Sequence, residues 1–189
     1  MATLELIQQA ERKITVKEFF EMELEEGYFY ELINGNIVKK QAPAPAHQRA
    51  SMTLSRIMSN FIFDNKLGEL FAAPIDVFFD ISNNTQPDIL FVKKERDFII
   101  TRNGIEGAPD LIVEILSPST FKIDRTDKMA LYLQFGVPEY WIVDPKNQSI
   151  EVYVLDDNQY KMTFFAIENG LIQSNVLHDL SFEVSAVFN

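Results

Sequence analysis

Residues 109–116 read Pro109-Asp110-Leu111-Ile112-Val113-Glu114-Ile115-Leu116, an apolar, β-branched run with one glutamate inside it. The run is short and is followed directly by Ser117-Pro118, so it predicts a buried strand rather than a helix. Acidic side chains are almost never fully buried unless they are paired. Glu114 must therefore be neutralised by a proton, by a cationic side chain or by a metal ion, and which of these applies bears directly on function.

The composition is that of an ordinary globular protein. The 189 residues are 47% hydrophobic and 24% charged, which is enough for a sizeable core, and we predict a single domain over residues 1–189. Cysteine is absent, which excludes disulfides and thiolate metal sites. No apolar stretch of the sequence is long enough to span a bilayer, and the polar residues 1–12 do not resemble a signal peptide. We therefore expect a cytoplasmic protein that does not bind membranes.

The chain is strongly acidic, with a formal net charge of −11. This charge argues against broad, non-specific adhesion to nucleic acid, which requires a basic surface to neutralise phosphates. It does not exclude a nuclease, because a bound metal ion adds local positive charge that the sequence count omits.

Hydrophobic periodicity and turn residues divide the chain into helices and strands. Thr15 and Glu18 fit a capping box that begins the first helix, and Gly27 ends it. Asn34-Gly35 is typical of the turn of a hairpin. The order of elements predicts an α/β (α+β) sandwich with a mixed sheet. The other predicted segments are a hairpin over residues 28–40, a loop over 41–46, helices over 47–66 and 124–135, a turn over 82–85, and strands over 69–73, 75–81, 88–92, 111–116, 140–144, 150–155 and 161–167.

Glu114 requires a partner, and two other carboxylates are candidates. Asp110 shares its strand face, but a separation of roughly 13 Å prevents the two from binding one metal ion, so we interpret Asp110 as a residue at the start of the strand. Asp88 follows Pro87 at the beginning of another apolar strand and is the natural candidate. Carboxylate oxygens suit Mg²⁺ or Mn²⁺. Two alternatives stay open: Asp88 makes turn hydrogen bonds, or Glu114 pairs with a lysine or arginine.

Lys128 lies on the apolar stripe of its predicted helix, together with the residues at i+3, i+4 and i+7. Its side chain therefore points inward or extends along the surface. An inward Lys128 would meet Glu114 in a pair that is either structural or catalytic. The alternative is an exposed i, i+4 ion pair with Asp124, worth about 0.3–0.5 kcal/mol, in which Asp124 also caps the helix.

Three other polar residues interrupt or flank apolar segments. Glu31 lies among apolar strand residues, and a cross-strand pair with Lys39 or Lys40 is its structural explanation. His47 and His178 are isolated in the sequence, which favours caps or surface positions over metal ligation.

Taken together, these segments resemble the Uma-two family of restriction endonucleases. Each motif alone is weak, but the motifs follow the order of the family and span nearly the whole chain. The matching segments are residues 30–35 (YELING), His47, residues 86–89 (QPDI), residues 109–120 (PDLIVEILSPST), Asp124 with Lys128, and residues 136–145 (GVPEYWIVDP).

The resemblance implies a variant of the PD-(D/E)-x-K nuclease fold, which is a restriction-endonuclease-like fold with a central mixed sheet flanked by helices. By position, Asp88 matches the Asp of that motif and Glu114 its acidic partner. Leu116 occupies the place of the usual lysine. Lys128 on the following helix is then the candidate catalytic lysine, and Glu31 matches the outer carboxylate.

The reaction implied by the resemblance is phosphodiester hydrolysis in nucleic acid, with DNA as the expected substrate and Mg²⁺ or Mn²⁺ as the cofactor. Asp88, Glu114 and the main-chain carbonyl of Ile115 are the expected metal ligands, and Lys128 and Glu31 complete the expected catalytic set. One alternative is a catalytically inactive module that binds nucleic acid or protein, in which Glu114 and Lys128 form a buried ion pair. Another is a structural or regulatory dimer. A homodimer is compatible with every version, because two-fold dimers are the commonest oligomers.

Overall fold

A computed structural model describes residues 13–188 and has an α+β fold, which confirms the predicted class. The helices are α1 (Val16–Glu21), α2 (Pro45–Asn65), α3 (Phe121–Ile123), α4 (Met129–Gln134) and α5 (Ser185–Phe188), with a 3₁₀ helix at Lys94–Ile99 and a π-helical turn at Asp124–Lys128. The strands are β1 (Phe29–Ile33), β2 (Asn36–Lys40), β3 (Gly68–Ala72), β4 (Val77–Asp80), β5 (Asn83–Thr85), β6 (Ile89–Lys93), β7 (Ile100–Thr101), β8 (Gly104–Glu106), β9 (Leu111–Ile115), β10 (Glu139–Asp144), β11 (Ser149–Asp156), β12 (Gln159–Ile167), β13 (Leu171–Gln173) and β14 (Ser181–Glu183).

Most strands belong to two six-stranded mixed sheets. The central sheet has the order β12-β11-β10-β9-β6-β3, and the outer sheet has the order β2-β1-β5-β4-β8-β7. Strand β9 lies inside the central sheet, parallel to β10 and antiparallel to β6. All five residues of β9 are buried, as expected for a strand that is covered on both faces.

Different layers cover the two faces of the central sheet. One face packs against α2 and the C-terminal segment, with Leu54 and Met58 of the helix meeting Val113 of β9. The other face packs against the outer sheet and α4, and here Ile112 and Leu131 belong to the same apolar cluster. Side chains alternate along β9, so Glu114 faces the second layer.

The predicted hairpin and first capping box are confirmed. Asn34 and Gly35 both adopt positive φ, at 51° and 71°, as a tight hairpin turn requires. Thr15 accepts a hydrogen bond from the backbone N–H of Glu18, and the Glu18 carboxylate accepts one from the backbone N–H of Thr15. Helix α1 nevertheless ends at Glu21, well before the predicted end at Gly27.

Three other predicted boundaries are corrected. Helix α2 begins at Pro45, two residues early, because proline is well suited to a first helical turn. The predicted turn over residues 82–85 instead contains β5, which pairs with β1 and β4 and is buried throughout. The predicted helix over residues 124–135 begins earlier, at Phe121.

Within residues 13–188, no helix has both the length and the apolarity that crossing a bilayer requires. The predicted long strands agree with the structure to within about two residues at most ends, as is usual for pattern-based boundaries. The short strands β7, β8, β13 and β14 were not predicted, because runs of two or three residues carry no periodic signal.

Candidate active site

Glu114 meets Lys128 in the interior of the protein. The Oε1 atom of Glu114 accepts hydrogen bonds from Lys128 Nζ at 2.8 Å and from Tyr132 Oη at 2.6 Å. Lys128 is completely buried and Glu114 is 2% exposed. The predicted inward orientation of Lys128 is therefore confirmed, and the alternative of a solvent-exposed pair with Asp124 is wrong.

Asp124 is not the helix cap that the sequence predicts. It lies inside the π-helical turn, and the helical segment already begins at Phe121. Both Asp124 and Lys128 are buried in this turn, with Asp124 Oδ1 3.7 Å from Lys128 Nζ. The wider turn thus directs both charged side chains toward the sheet.

Glu31 of β1 bridges two lysines. Its Oε1 atom accepts hydrogen bonds from Lys128 Nζ at 3.0 Å, from Lys40 Nζ at 2.9 Å and from the backbone N–H of Gln86 at 2.7 Å. The cross-strand explanation of Glu31 is confirmed for Lys40, whereas Lys39 pairs with Glu25. Glu31 therefore joins the outer sheet to the helix that carries Lys128.

Asp88 lies immediately before β6, beside β9. Its Oδ2 atom accepts a hydrogen bond from the backbone N–H of Ile115 at 2.7 Å and lies 3.1 Å from His47 Nε2. His47 is in the first turn of α2 and is 9% exposed. The expectation that His47 is a surface or capping residue is wrong, because the start of α2 packs over Asp88, whereas His178 is exposed as expected.

A cleft of about 190 Å³ opens over these groups. Glu31 and Lys128 are fully buried and lie behind the cleft rather than on its wall, as judged from the residues that the structure describes. Ile115 lies on the wall, and the polar or charged residues there are Lys40, Gln41, His47, Gln48, Ser51, Gln86, Asp88, Glu114, Ser117 and Thr120. The site thus has two layers, an accessible wall and a buried charged layer behind it.

Burial and charge act in opposite directions on the two acids nearest Lys128. Burial raises the pKa of Glu114 to about 8 in spite of the contact with Lys128, and the neighbouring carboxylates of Asp124 and Asp88 add to the increase. Burial also raises the pKa of Asp124, although Lys128 partly opposes it. For Lys128 itself burial disfavours the ammonium, but the carboxylates outweigh burial and hold its pKa well above the ordinary value.

The other two acids remain charged. Burial by itself would raise the pKa of Glu31, but Lys128 and Lys40 outweigh it and hold this pKa below the ordinary value. Burial likewise opposes the ionisation of Asp88, but the hydrogen bond and charge of His47 hold its pKa below the ordinary value, with a contribution from Lys40. Four carboxyl groups therefore lie around two lysines, and the two with raised pKa values, Glu114 and Asp124, are the ones whose ionisation burial and neighbouring carboxylates oppose.

The donor set fits a hard divalent cation. Hydrogen bonds from the protein go to Oδ2 of Asp88 and to Oε1 of Glu114, and the other oxygen of each carboxylate accepts none of these bonds. Both side chains line the cleft. Mg²⁺ is typically bound by one or two carboxylates together with water and substrate phosphate. Over residues 13–188, no group of three or more histidine, aspartate or glutamate side chains is placed so that it could hold a metal ion, so the donor set consists of these two carboxylates.

Asp110, the acidic residue directly before β9, is separate from the site. Asp110 accepts a hydrogen bond from the backbone N–H of Lys93 at 2.9 Å and pairs with Arg96 at 3.0 Å. Its predicted role at the start of the strand is confirmed. Sequence reasoning gave no role in the site to His47, which appeared only among the segments that resemble the family, or to Tyr132, since neither has a short-range signal that links it to Asp88 or Glu114.

Comparisons with known proteins agree with this architecture. The profile of the Uma2 family, described as "Putative restriction endonuclease", matches residues 16–185. A protein of Synechocystis sp. named "Uncharacterized protein sll1609" is 26% identical over 163 residues, which cover 85% of this chain and 92% of that protein. The crystal structure of a protein from Anabaena variabilis, described as a putative nuclease belonging to DUF820, is similar with a TM-score of 0.73 and 22% identity. The similarity covers 93% of this chain and 97% of that chain, and it shows a shared fold. Because the matched residues include nearly all of the chain, the protein belongs to the Uma2 family.

Proposed function

We propose that this protein is a divalent-metal-dependent nuclease that hydrolyses phosphodiester bonds in DNA. The observation that carries the proposal is the pair Asp88 and Glu114, which line one cleft, each with a carboxylate oxygen that accepts no hydrogen bond from residues 13–188. The neighbouring carboxylates, which together with burial raise the pKa of Glu114, favour a cation beside it. Membership of a family described as restriction endonucleases supports the same chemistry.

Asp88, Glu114 and the main-chain carbonyl of Ile115 are the proposed ligands of Mg²⁺ or Mn²⁺. Such an ion would polarise the scissile phosphate and lower the pKa of a nucleophilic water. The chain orients its ligands through fixed partners, because the Ile115 N–H and His47 hold Asp88 while Lys128 holds Glu114. Ligands held in this way lose little freedom when they bind.

Glu31 and Lys128 have supporting roles in this proposal. The place of the usual motif lysine holds Leu116, which packs in the apolar cluster of the second layer. Lys128 instead brings a positive charge to Glu114 from the helix, and Glu31 fixes the ammonium of Lys128 from the outer sheet. We also propose that the protein acts as a homodimer in the cytoplasm.

Cleavage of plasmid and oligonucleotide DNA in Mg²⁺ or Mn²⁺ tests the proposal. We expect the native protein to cleave, and we expect Asp88→Asn to lose metal-dependent cleavage while it remains folded at the assay temperature, because the amide keeps the shape but removes the charge, at the cost of the stability that the charged form gains from His47. Asp64→Asn, an exposed substitution in α2 away from the cleft, is the matched control and should cleave normally. Unchanged cleavage by Asp88→Asn, or no cleavage by the native protein, would contradict the proposal.

A second candidate is a catalytically inactive module with the same fold, which binds nucleic acid or a protein. The observation that favours it is the complete burial of Lys128 among three carboxylates, a typical structural ion cluster. It predicts DNA binding without cleavage and without any effect of Mn²⁺ on affinity. The same cleavage experiment therefore separates the two candidates.

A further inference from the structure

Two lysines, Lys128 and Lys40, lie at different depths in the site, while Leu116 occupies the place of the motif lysine. Lys128 is fully buried, and its ammonium donates hydrogen bonds to Glu114 at 2.8 Å and to Glu31 at 3.0 Å, while Asp124 lies at 3.7 Å, beyond hydrogen-bond distance. An ammonium has three donors and no acceptor. Among the residues that the structure describes, Lys128 does not line the cleft, whereas Glu114, to which it donates, does, so the Lys128 ammonium lies behind the groups that a bound phosphate would contact.

Lys40 has the complementary position. Its side chain is 15% exposed and lines the cleft together with Asp88 and Glu114. Its ammonium donates to Glu31 Oε1 at 2.9 Å and to the backbone carbonyl of Gln86 at 3.3 Å. Within the part of the chain that the structure describes, two of its three donors are thus used, and the third is available to a group in the cleft.

Glu31 lies between the two lysines and binds both of them. A single oxygen of Glu31 accepts from Lys40 on one side and from Lys128 on the other. Gln86, whose backbone N–H also binds this oxygen, is two residues from Asp88. The Lys40 ammonium is therefore held beside the proposed metal ligands by the same network that orients them.

We propose that Lys40 is the catalytic residue that contacts the scissile phosphate, and that Lys128 is a positioning residue for Glu114 and Glu31. This inference rests on the proposed nuclease function. Negative charge on the non-bridging phosphate oxygens is stabilised by a positioned ammonium, and such a contact is strong because the donor is charged. Lys40 supplies this charge in a cleft whose other ionisable groups are mostly acidic.

Binding of a short DNA provides a readout that does not depend on cleavage. A fluorescein-labelled 12-nucleotide single strand is titrated in Ca²⁺ at several NaCl concentrations with native protein, Lys40→Met and Lys39→Met. Each lysine–phosphate contact contributes about 0.7 to the slope of log Kd against log salt for a single strand. We expect Lys40→Met to lose about 0.7 of that slope, and we expect Lys40→Arg to retain it.

Lys39→Met is the matched control, because Lys39 is the adjacent residue but pairs with Glu25 and does not line the cleft. It should keep the native slope and the native cleavage rate. Cleavage of the same strand in Mn²⁺ should fall about 100-fold in Lys40→Met, the typical loss for one transition-state donor. A melting temperature close to native shows that the variant is folded.

The outcomes separate the inference from the proposed function. If the native protein cleaves and Lys40→Met keeps both the native slope and the native rate, the assignment of Lys40 is wrong while the nuclease proposal stands. If the native protein neither binds nor cleaves the strand or its duplex, the proposed function is wrong and the assignment of Lys40 is wrong with it.

Discussion

At the scale of single residues, Glu114 is where burial and neighbouring charge compete most strongly. Burial raises its pKa to about 8, and the nearby carboxylates of Asp124 and Asp88 offset much of the stabilisation that Lys128 provides. A divalent cation would remove the proton, since metal ligands must be deprotonated. At the proposed metal site, the Glu114 carboxyl group would therefore bind a proton when the metal ion is absent and the metal ion when it is present.

The raised pKa of Glu114 predicts a pH-dependent stability of the metal-free protein. Between its ordinary value of 4.5 and about 8, the folded protein holds a proton that the unfolded chain has released, so the free energy of unfolding falls as pH rises. This stabilisation is complete below the unfolded pKa and is lost as pH rises through the folded one. Urea unfolding in EDTA between about pH 5 and about pH 9 measures it.

Glu114→Gln is the informative variant for this titration. The amide carries no titrating proton, so the decline in stability should be smaller than in the native protein, with the remainder due to Asp124, whose pKa burial also raises. An undiminished decline in Glu114→Gln would show that another group is responsible. Glu31 and Asp88 have the opposite effect at low pH. Their pKa values are lowered in the folded protein, so the free energy of unfolding falls as pH decreases and they become protonated.

At the scale of elements, the π-helical turn at Asp124–Lys128 is the segment that builds the buried layer of the site. It directs both of its terminal charged residues inward, against Glu114 of β9 and Glu31 of β1. Helix, central sheet and outer sheet therefore meet at one ammonium group. π-helical turns are frequent at functional sites.

Removal of the Lys128 charge is expected to destabilise the fold. Lys128→Met leaves buried carboxylates without their main partner, and breaking a buried ion pair from one side typically costs about 3–5 kcal/mol. Chemical denaturation measures the loss of unfolding free energy. Lys161→Met is the control, since Lys161 pairs with Asp156 on the surface and should cost less than about 1 kcal/mol. Equal costs in the two variants would contradict the stabilising role of Lys128 in the buried charged layer.

Local patterns explain which elements could be predicted. The hairpin, the long helix and the buried strand carrying Glu114 have strong short-range signals, namely Asn34-Gly35, helical periodicity and an apolar β-branched run. β5 could not be predicted, because its polar residues resemble a turn and become a strand only by pairing with β1 and β4. The inward Lys128 was one of two open alternatives, and tertiary packing decides between them.

The acidic residues of the site could be predicted from the sequence more fully than the residues that bind them. Glu114 and Asp88 follow from unusual carboxylates beside apolar strands, together with the family resemblance. His47 belongs to the family resemblance, but its contact with Asp88 could not be predicted, because the two residues are 41 positions apart and meet only when the start of α2 packs over Asp88. Tyr132 was assigned only to an apolar stripe, although its hydroxyl donates to Glu114.

At the scale of the whole molecule, the arrangement of layers shows how an acidic chain could carry out the proposed reaction on nucleic acid. The net charge is −11, so non-specific attraction to phosphate is weak. The central sheet brings Asp88 and Glu114 to one cleft, and the outer sheet adds Lys40. Local positive charge from one lysine and a divalent cation would then replace the basic surface that the molecule lacks.

The central claim is a divalent-metal site at Asp88 and Glu114, and isothermal titration calorimetry of Mn²⁺ tests it without any assumption about the substrate. We expect the native protein to bind Mn²⁺ and Asp88→Ala, which should remain folded, not to bind it. Equal binding by both proteins would place the metal elsewhere. Absence of binding to the native protein would contradict the claim directly.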